Sequence, residues 1–338
     1  MSYAQTLTRL INGESLSFEV MQGLMQQVMA GELTAAQIAG VLVALRIKGE
    51  TVDEIAAAAS VMRSLSTKVE IQDANHLVDT CGTGGDGIQT FNISTVSAFI
   101  AAAAGAKVAK HGGRSVSSTC GSADVLEALG VNVNLSPEQV ANSVNQVGLG
   151  FMFAPNHHSA MKHAAPVRRE LGIRTLFNLL GPLTNPANAK RQVMGVFSPD
   201  LTGKLARVLK QLGSEHVMVV CGADGMDEIS FTGDSYIAEL KHGEVHEYTV
   251  NPAQFGLKLH DLNSIKVSNA QESKDIILDL LAGKTGPARD IVLLNAGAAI
   301  YVSGIAHTLA DGISTAADML DNGKAMQKLQ ALITATNA

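Results

Sequence analysis

The first 70 residues have apolar positions at helical spacing and no alternating run typical of a strand. Residues 4–11 predict a short leading helix, and a second helix is expected to end near Ala30. The start and stop signals are the N-cap residue Ser17, the C-terminal Gly31, and the capping-box pairs Thr34/Gln37 and Thr51/Glu54. Four short helices without strands suggest a separate small helical domain or a dimerisation module.

From residue 76 the pattern changes to short apolar runs that alternate with helical segments. The predicted strands are His76–Thr80, Lys107–Lys110, Gly150–Ala154, Gln192–Phe197 and His216–Cys221. The predicted helices are Ile93–Ala104, Ser122–Leu129, Pro137–Val147 and Leu201–Leu212. This alternation favours a parallel sheet with helices packed on it. Ligands of such sheets bind outside the carboxyl ends of the strands.

Three later regions depart from the alternation. Residues 155–180 predict a loop and short helices that fold back onto the N-terminal helices. Residues 235–250 predict a hairpin that turns at His242-Gly243. The tail from Glu272 is expected to be helical to the end, with breaks at Gly283–Pro287 and at Gly304.

Composition narrows the class of protein. The chain has 338 residues, of which 46% are hydrophobic and only 4% aromatic, so two domains with aliphatic cores are expected. A net charge of −6 argues against nucleic-acid binding as the main function. We see no apolar stretch long enough for a membrane span and no signal peptide. The three cysteines form no C-x-x-C pair. We therefore expect a soluble, cytoplasmic protein.

The stretch from Asp79 to Leu129 contains the features that suit a highly anionic ligand. Four glycines follow the first predicted strand, and glycine lets backbone N–H groups face phosphate oxygens. The helix start at Asn92–Thr95 offers further N–H groups and hydroxyls. Lys110 and Arg114, after the next strand, can neutralise charge. The glycines match neither a P-loop nor a dinucleotide fingerprint, and an ordinary strand–turn–helix connection is the alternative.

Two other groups of residues could carry chemistry. Asp227-Glu228 follows an apolar strand, and paired carboxylates there suit Mg²⁺, although a solvated acidic turn is the alternative. One of Arg168 and Arg169 could bind a substrate carboxylate, or both could be solvated. His157, His158 and His163 lack metal-ligand spacing, although His158 could line a pocket.

Taken together, these segments resemble the anthranilate phosphoribosyltransferases over nearly the whole chain. The matching segments are Asp79-Thr-Cys-Gly-Thr-Gly-Gly-Asp86, Asn92-Ile-Ser-Thr95, Lys110-His-Gly, Arg114-Ser-Val-Ser-Ser118, Gly121-Ser-Ala-Asp124, Gly172 to Pro186, and Asp227-Glu228. The resemblance implies a small N-terminal helical domain and a larger α/β domain with a hinge between them. The expected division is 1–70, joined in space by helices from about 157–180, and 71–338.

The resemblance also implies a reaction. The phosphoribosyl group of phosphoribosyl pyrophosphate (PRPP) would pass to the amine of anthranilate, giving N-(5-phosphoribosyl)anthranilate and pyrophosphate in tryptophan biosynthesis. Two Mg²⁺ ions are expected with the substrate. A homodimer through the helical domain is also expected, with no nucleic-acid or membrane partner.

The family's site residues can be carried over position by position. Those implied for PRPP are Gly82, Thr83, Gly85, Asp86, Thr90, Asn92, Ile93, Ser94, Thr95, Lys110, His111, Gly112, Gly113, Arg114, Ser115, Val116, Ser117, Ser118 and Ser122. Those implied for anthranilate are Gly82, His111, Gly113, Pro155, His158 and Arg168. Those implied for the metal are Ser94, Asp227 and Glu228. No covalent nucleophile or general base is assigned.

One position departs from the family pattern. The loop usually reads Lys-His-Gly-Asn-Arg, and Gly113 stands where that asparagine helps to bind anthranilate. Two other functions compete with the transferase: a related pyrimidine nucleoside phosphorylase, and a non-catalytic member of the fold that binds nucleic acid. Asp227-Glu228 and the Leu-Gly-Pro-Leu-Thr-Asn-Pro segment favour the transferase over the phosphorylase.

Overall fold

A computed structural model describes residues 2–114 and 120–338 of the chain. Within these ranges the α-helices are α1 (Tyr3–Ile11), α2 (Phe18–Ala30), α3 (Ala35–Lys48), α4 (Val52–Leu65), α5 (Ile93–Ala103), α6 (Ser122–Ala128), α7 (Pro137–Val147), α8 (Ala154–His157), α9 (Ala165–Leu171), α10 (Phe177–Leu180), α11 (Asp200–Gln211), α12 (Ala270–Leu281), α13 (Pro287–Ser303), α14 (Leu309–Asp321) and α15 (Lys324–Thr336). The strands are β1 (Leu77–Asp79), β2 (Lys107–Gly112), β3 (Leu149–Phe153), β4 (Arg191–Gly195), β5 (His216–Gly222), β6 (Ser235–Lys241) and β7 (Glu244–Val250).

Side-chain caps set the starts of the N-terminal helices. The Ser17 hydroxyl accepts the Val20 N–H, and both predicted capping boxes form, at Thr34 and at Thr51. Gly31 ends α2 with a φ of 74°, in the left-handed region that favours glycine. These short-range signals explain why the helix boundaries match the sequence prediction closely.

The strands form one seven-stranded sheet in the order β3-β2-β1-β4-β5-β6-β7. Strands β1 to β5 pair in parallel, and the β6–β7 hairpin adds two antiparallel strands beside β5. The strand order reverses at β1, which lies between β2 and β4. A reversal of this kind opens a crevice at the carboxyl edge of the sheet. The predicted α/β class with a small helical part is confirmed.

Each face of the sheet covers a different core. Along β5, Met218 and Val220 belong to the core formed by α5 and the C-terminal helices. The alternating residues Val217 and Val219 belong to the opposite core, which includes α2, α3, α4 and α11. This alternation follows from the two-residue period of a strand. The fully buried sheet centre therefore fixes the register of β5 against both helical layers.

The segment after β3 packs against the N-terminal helices. Val167 of α9 and Leu176, just before α10, lie in the same core as Leu24 of α2 and Leu45 of α3. Arg63 of α4 donates to the carbonyl of Leu183 at 2.6 Å. The segment that carries Arg168 is therefore packed on the helical layer and not on the far side of the sheet.

The structure corrects several boundaries: β4, for example, spans Arg191–Gly195 and not Gln192–Phe197, and three further differences change the local backbone. His76 was expected in the first strand, but its φ of 58° is left-handed and β1 begins at Leu77. Ala154 was expected in β3, but it begins α8, because Pro155 cannot donate to a strand ladder. The tail has a further break at Asn322-Gly323, where Gly323 has a φ of 72°. None of the described helices is long and apolar enough to cross a membrane.

Candidate functional site

The candidate site lies at the carboxyl edge of β1, β4 and β5, where the strand order reverses. Two irregular loops meet there. The glycine loop, residues 80–91, follows β1, and the acidic loop, residues 223–234, follows β5. Since parallel strands end at the same edge, the topology brings together segments more than 130 residues apart.

Left-handed backbone shapes the glycine loop. Gly84, Gly85 and Gly87 have φ values of 63°, 78° and 78°. The Thr83 N–H donates to the Gly195 carbonyl at the end of β4 at 2.8 Å. The Asp86 carboxylate accepts the Ile88 N–H at 3.0 Å. The loop therefore turns sharply on the end of β4, a conformation that residues with a Cβ adopt with difficulty.

Backbone contacts join the two loops directly. The Gly84 N–H donates to Asp227 Oδ2 at 2.8 Å, and the Asp227 N–H faces Asp86 Oδ2 at 3.4 Å. A Cβ on Gly195 would lie 1.5 Å from the Asp227 carbonyl oxygen, and a Cβ on Gly82 would lie 2.9 Å from the Gly195 carbonyl oxygen. The acidic loop can approach the glycine loop only because these two positions lack side chains.

Two carboxylates of the acidic loop, Asp227 and Glu228, are partly buried and lie close to other negative charges. Burial, and after it the nearby Asp86, raises the pKa of Asp227 to about 7. Burial and the adjacent Asp227 raise the pKa of Glu228, while Lys110 opposes the rise. Partly buried carboxylates that lie close together are stabilised by a bound cation.

The donor set here fits a hard divalent cation. Asp227 and Glu228 provide carboxylate oxygens, and Ser94, at the start of α5, provides a hydroxyl. Within residues 2–114 and 120–338, no three His, Cys, Asp or Glu side chains form a metal-binding group. A cation would therefore take its remaining oxygens from substrate or water, as Mg²⁺ usually does.

The two cations predicted to face phosphate already have protein partners. The buried Lys110 Nζ donates to the Thr80 carbonyl at 2.9 Å and to Ser94 Oγ at 3.2 Å. Arg114 forms a fork with Glu127 at 2.6 and 2.8 Å and also donates to Asp124 at 2.9 Å. The positive charge of Lys110 therefore offsets nearby carboxylates such as Glu228. The Arg114 side chain is paired with the acidic residues of α6.

The remaining residues predicted for PRPP line the same edge where the structure describes them. Thr95 Oγ1 donates to Ser122 Oγ at 3.1 Å, which links α5 to α6. The Asn92 side chain bonds Cys120 and Ser273, and it does not cap α5. Thr90 forms an isolated bridge with Lys266, Ile93 is buried, and a Cβ on Gly112 would lie 3.0 Å from the Phe151 ring. The predicted Ser115, Val116, Ser117 and Ser118 lie outside the described residues.

A pair of histidines marks the region predicted for anthranilate. The rings of His111 and His158 meet edge-on, with centroids 5.1 Å apart. His111 Nδ1 donates to the Gly181 carbonyl at 3.2 Å, because a carbonyl can only accept, so the neutral ring has its lone pair on Nε2. Burial, and after it the neighbouring His158, lowers the pKa of His111 to about 3. Burial lowers the pKa of His158 to about 4.

Arg168 lies on the adjoining helix, at the C-terminal end of α9. Its guanidinium stacks over the Phe177 ring at 5.3 Å, and burial lowers its pKa. Pro155 is exposed at the start of α8. A Cβ on Gly113 would meet no described residue within 4 Å, so residues 2–114 and 120–338 leave room for a side chain here.

Sequence reasoning missed four residues that hold the site together. Asn185 Nδ2 donates to Asp79 Oδ2 at 2.7 Å, and Gln192 Nε2 donates to the Cys81 carbonyl at 2.9 Å. Arg174 donates to the Gly85 carbonyl and stacks over Phe197. Gly195 allows the acidic loop to approach. Asn185 and Arg174 stand in the quoted Gly172–Pro186 segment, whereas nothing local marks Gln192 or Gly195.

The chain matches two family models that together cover most of its length. Residues 74–326 match the a/b domain of a glycosyl transferase family, and residues 4–66 match the helical bundle domain of a glycosyl transferase family. The chain therefore belongs to this glycosyl transferase family.

The relatives identify the branch of that family. The chain is 68% identical to anthranilate phosphoribosyltransferase of Methylobacillus flagellatus over 96% of both chains, and 62% identical to that of Chromobacterium violaceum over 97% of this chain and 96% of the relative. These matches confirm the resemblance to anthranilate phosphoribosyltransferases.

Solved structures of similar proteins have the same fold. The Thermus thermophilus anthranilate phosphoribosyltransferase superimposes with a TM-score of 0.92 at 42% identity, covering 98% of this chain and 99% of that one. The Saccharomyces cerevisiae enzyme, solved with PRPP and Mg, gives 0.90 at 26% identity, covering 99% and 98%. A variant of the yeast enzyme, solved with 4-fluoroanthranilate, gives 0.87 at 25% identity, with coverage of 99% and 98%.

We predict that Gly195→Ala lowers turnover by about 100-fold or more, because the added methyl group displaces the Asp227 backbone. Steady-state assays with both substrates saturating would measure the loss. Gly233→Ala is the matched control, since a Cβ at this acidic-loop position meets nothing within 4 Å. A folded Gly195→Ala protein with wild-type turnover would show that this approach is unimportant.

We also predict that the partly buried His158 makes the protein less stable in mild acid. Its pKa is about 4 when folded and about 6.5 when unfolded, so its stabilising effect is complete above pH 6.5 and is lost as pH falls towards 4. The loss is at most about 1.4 kcal/mol per pH unit. Chemical denaturation near pH 7 and near pH 5 should show a smaller pH effect for His158→Gln than for wild type. The exposed His307→Gln should keep the full effect.

Proposed function

We propose that this protein transfers the phosphoribosyl group of PRPP to the amine of anthranilate, releasing pyrophosphate, as a step of tryptophan biosynthesis. High identity to named relatives over almost the whole chain supports this function. The same relatives favour it over the phosphorylase and nucleic-acid alternatives.

The observation that carries the proposal is the bond between Gly84 N–H and Asp227 Oδ2, at 2.8 Å. It supports the proposal because a backbone amide of the glycine loop, of the kind that binds phosphate, lies next to a carboxylate that would hold Mg²⁺. A pyrophosphate bound through Mg²⁺ needs backbone donors for its oxygens and carboxylates for the metal close enough to contact the same ligand. The glycine loop and the acidic loop would then form one site for a metal-bound diphosphate.

In this reaction the protein mainly positions the two substrates and neutralises the negative charge of the leaving pyrophosphate. A bond forms between the anthranilate nitrogen and C1 of the ribose as the bond from C1 to the pyrophosphate oxygen breaks, and the nitrogen then loses one proton to solvent. The glycine-loop N–H groups and the start of α5 would hold the phosphates. Asp227, Glu228 and Ser94 would hold Mg²⁺, which supplies charge neutralisation when bound. Mg²⁺ dependence and the number of ions are part of the proposal.

The acceptor side of the site would orient anthranilate. Arg168 provides a partly buried guanidinium for its carboxylate, and His111 and His158 provide a neutral aromatic wall. Holding the amine opposite the leaving group supplies most of the protein's catalytic effect. None of the described residues needs to act as a covalent nucleophile.

The proposal is tested by an assay with PRPP, Mg²⁺ and anthranilate that follows the loss of anthranilate fluorescence. We predict that Asp227→Asn combined with Glu228→Gln abolishes turnover while leaving the fold intact, because two neutral amides bind Mg²⁺ poorly. Far-ultraviolet circular dichroism would verify folding. Near-normal activity of this double variant at moderate Mg²⁺ would overturn the metal assignment.

We predict that Arg168→Ala raises the KM for anthranilate by about 10- to 100-fold, because the lost charge-assisted contact contributes about 1.5–3 kcal/mol. The KM for PRPP should change much less. Arg169→Ala is the matched control, since Arg169 is the exposed neighbour on the same helix. A rise confined to the KM for PRPP would place Arg168 outside the acceptor side.

We further propose that the chain is a cytoplasmic homodimer that associates through a domain comprising residues 1–70 and helices from about 157–180. Ile11 of α1 and Ile47 of α3 are 70% and 81% exposed, which favours a covered surface on these helices. Ile47→Asp should then shift sedimentation velocity towards a monomer. Leu259→Asp, at another exposed apolar position, should leave the sedimentation unchanged. A monomeric wild type would refute the dimer.

A further inference from the structure

A buried asparagine of the C-terminal region forms hydrogen bonds to the backbone of the acidic loop. Asn295 lies within α13 and is 3% exposed. Its Oδ1 accepts the Ile229 N–H at 2.9 Å, and its Nδ2 donates to the Ile229 carbonyl at 3.0 Å. The same Nδ2 donates to the Ile291 carbonyl, one turn earlier in the helix, at 2.9 Å. One amide thus satisfies both backbone polar groups of Ile229.

Ile229 directly follows the carboxylate pair Asp227-Glu228. The acidic loop has no regular secondary structure there, and the Ile229 side chain is fully buried. Buried backbone polar groups in such a segment need partners, and no strand supplies them. The Asn295 amide takes the place that a neighbouring strand would occupy, and it does so at the residue next to Glu228.

The helix that bears Asn295 is held tightly. A Cβ on Gly297 would lie 2.6 Å from Ile313 Cγ1, and a Cβ on Gly312 would lie 2.2 Å from the Gly297 carbonyl oxygen. Close backbone contact between α13 and α14 therefore fixes the position of Asn295 relative to the sheet. The carboxylate pair is anchored to this rigid helix pair as well as to its own strand.

Bonds within the acidic loop form a second, local support. Asp224 Oδ2 accepts the hydroxyls of Ser230 and Thr232, both at 2.7 Å. These bonds shape the loop but connect it to nothing outside. Asn295 differs because it joins the acidic loop to α13 and so fixes the position of the acidic loop relative to the glycine loop.

We infer that Asn295 is a positioning residue that sets the divalent-cation affinity of the Asp227-Glu228 pair. It fixes the backbone after Glu228, so both carboxylates keep their direction towards Gly84 and Ser94. Groups that orient metal ligands commonly contribute about 10- to 100-fold to metal affinity. This inference rests on the proposed role of the pair in holding Mg²⁺.

The test is a titration of the full-length protein with Mn²⁺ alone as a probe, with free Mn²⁺ measured by electron paramagnetic resonance. Asn295→Ala should weaken Mn²⁺ binding by about 10-fold. Asn295→Ser, which keeps a hydroxyl and is less disruptive, should weaken it to a smaller extent. In turnover assays, the Mg²⁺ concentration for half-maximal rate should rise by a similar factor, while the KM for anthranilate at saturating Mg²⁺ stays near wild type.

Ser143→Ala is the matched control, because it removes a buried hydrogen bond to the Leu149 carbonyl at 2.7 Å, beside β3. It should lower stability without altering Mn²⁺ affinity. If both Asn295 variants bind Mn²⁺ like wild type, the inference is overturned even if they are less stable. If the Asp227→Asn, Glu228→Gln double variant also binds Mn²⁺ like wild type, the metal assignment fails and the inference fails with it. Weakened binding in both sets of variants supports both.

Discussion

The position of β1 between β2 and β4 is the constraint on which the candidate site depends. This strand has only three residues, all buried, and one carboxylate secures it. Asp79 accepts the His111 N–H of β2 at 3.2 Å and the Asn185 amide, from the segment before β4, at 2.7 Å. Burial raises the pKa of Asp79 to about 6, so its charged form costs free energy that these hydrogen bonds offset only in part. Without this strand order, the glycine loop and the acidic loop would not share an edge.

Several charged groups at this edge are buried or partly buried. Asp79, Lys110 and the Asp227-Glu228 pair lie behind or within the site, whereas the sheet faces are packed with aliphatic residues. A fold optimised only for stability would avoid such a cluster, because each buried charge loses its hydration. Departures from packing rules of this kind are expected where a protein binds and transforms a ligand.

Local signals in the sequence were enough to predict much of the fold. The predicted α7 matches at both ends, because Ser136-Pro137 starts it and Gly148 ends it. The hairpin turn at His242-Gly243 was equally clear, and both residues have positive φ. By contrast, nothing local marks the left-handed His76, whereas the break at Gly323 was overlooked although Asn322-Gly323 is a turn-forming pair. The contact of Gly84 with Asp227 joins residues 143 apart, and only the strand order creates it. The partners of Arg114 were likewise hidden, because Glu127 reads as an ordinary helix residue.

The partners of the two basic residues have a consequence for how a substrate arrives. Counting lysines and arginines would assign this edge a positive potential that draws anions from a distance. Lys110 instead offsets buried carboxylates, and Arg114 lies against Asp124 and Glu127. The edge therefore offers an approaching diphosphate little long-range attraction, and the association rate should depend only weakly on ionic strength. Capture relies on contacts made after arrival: the glycine-loop amides, the start of α5 and the charge of a metal ion that travels with the diphosphate.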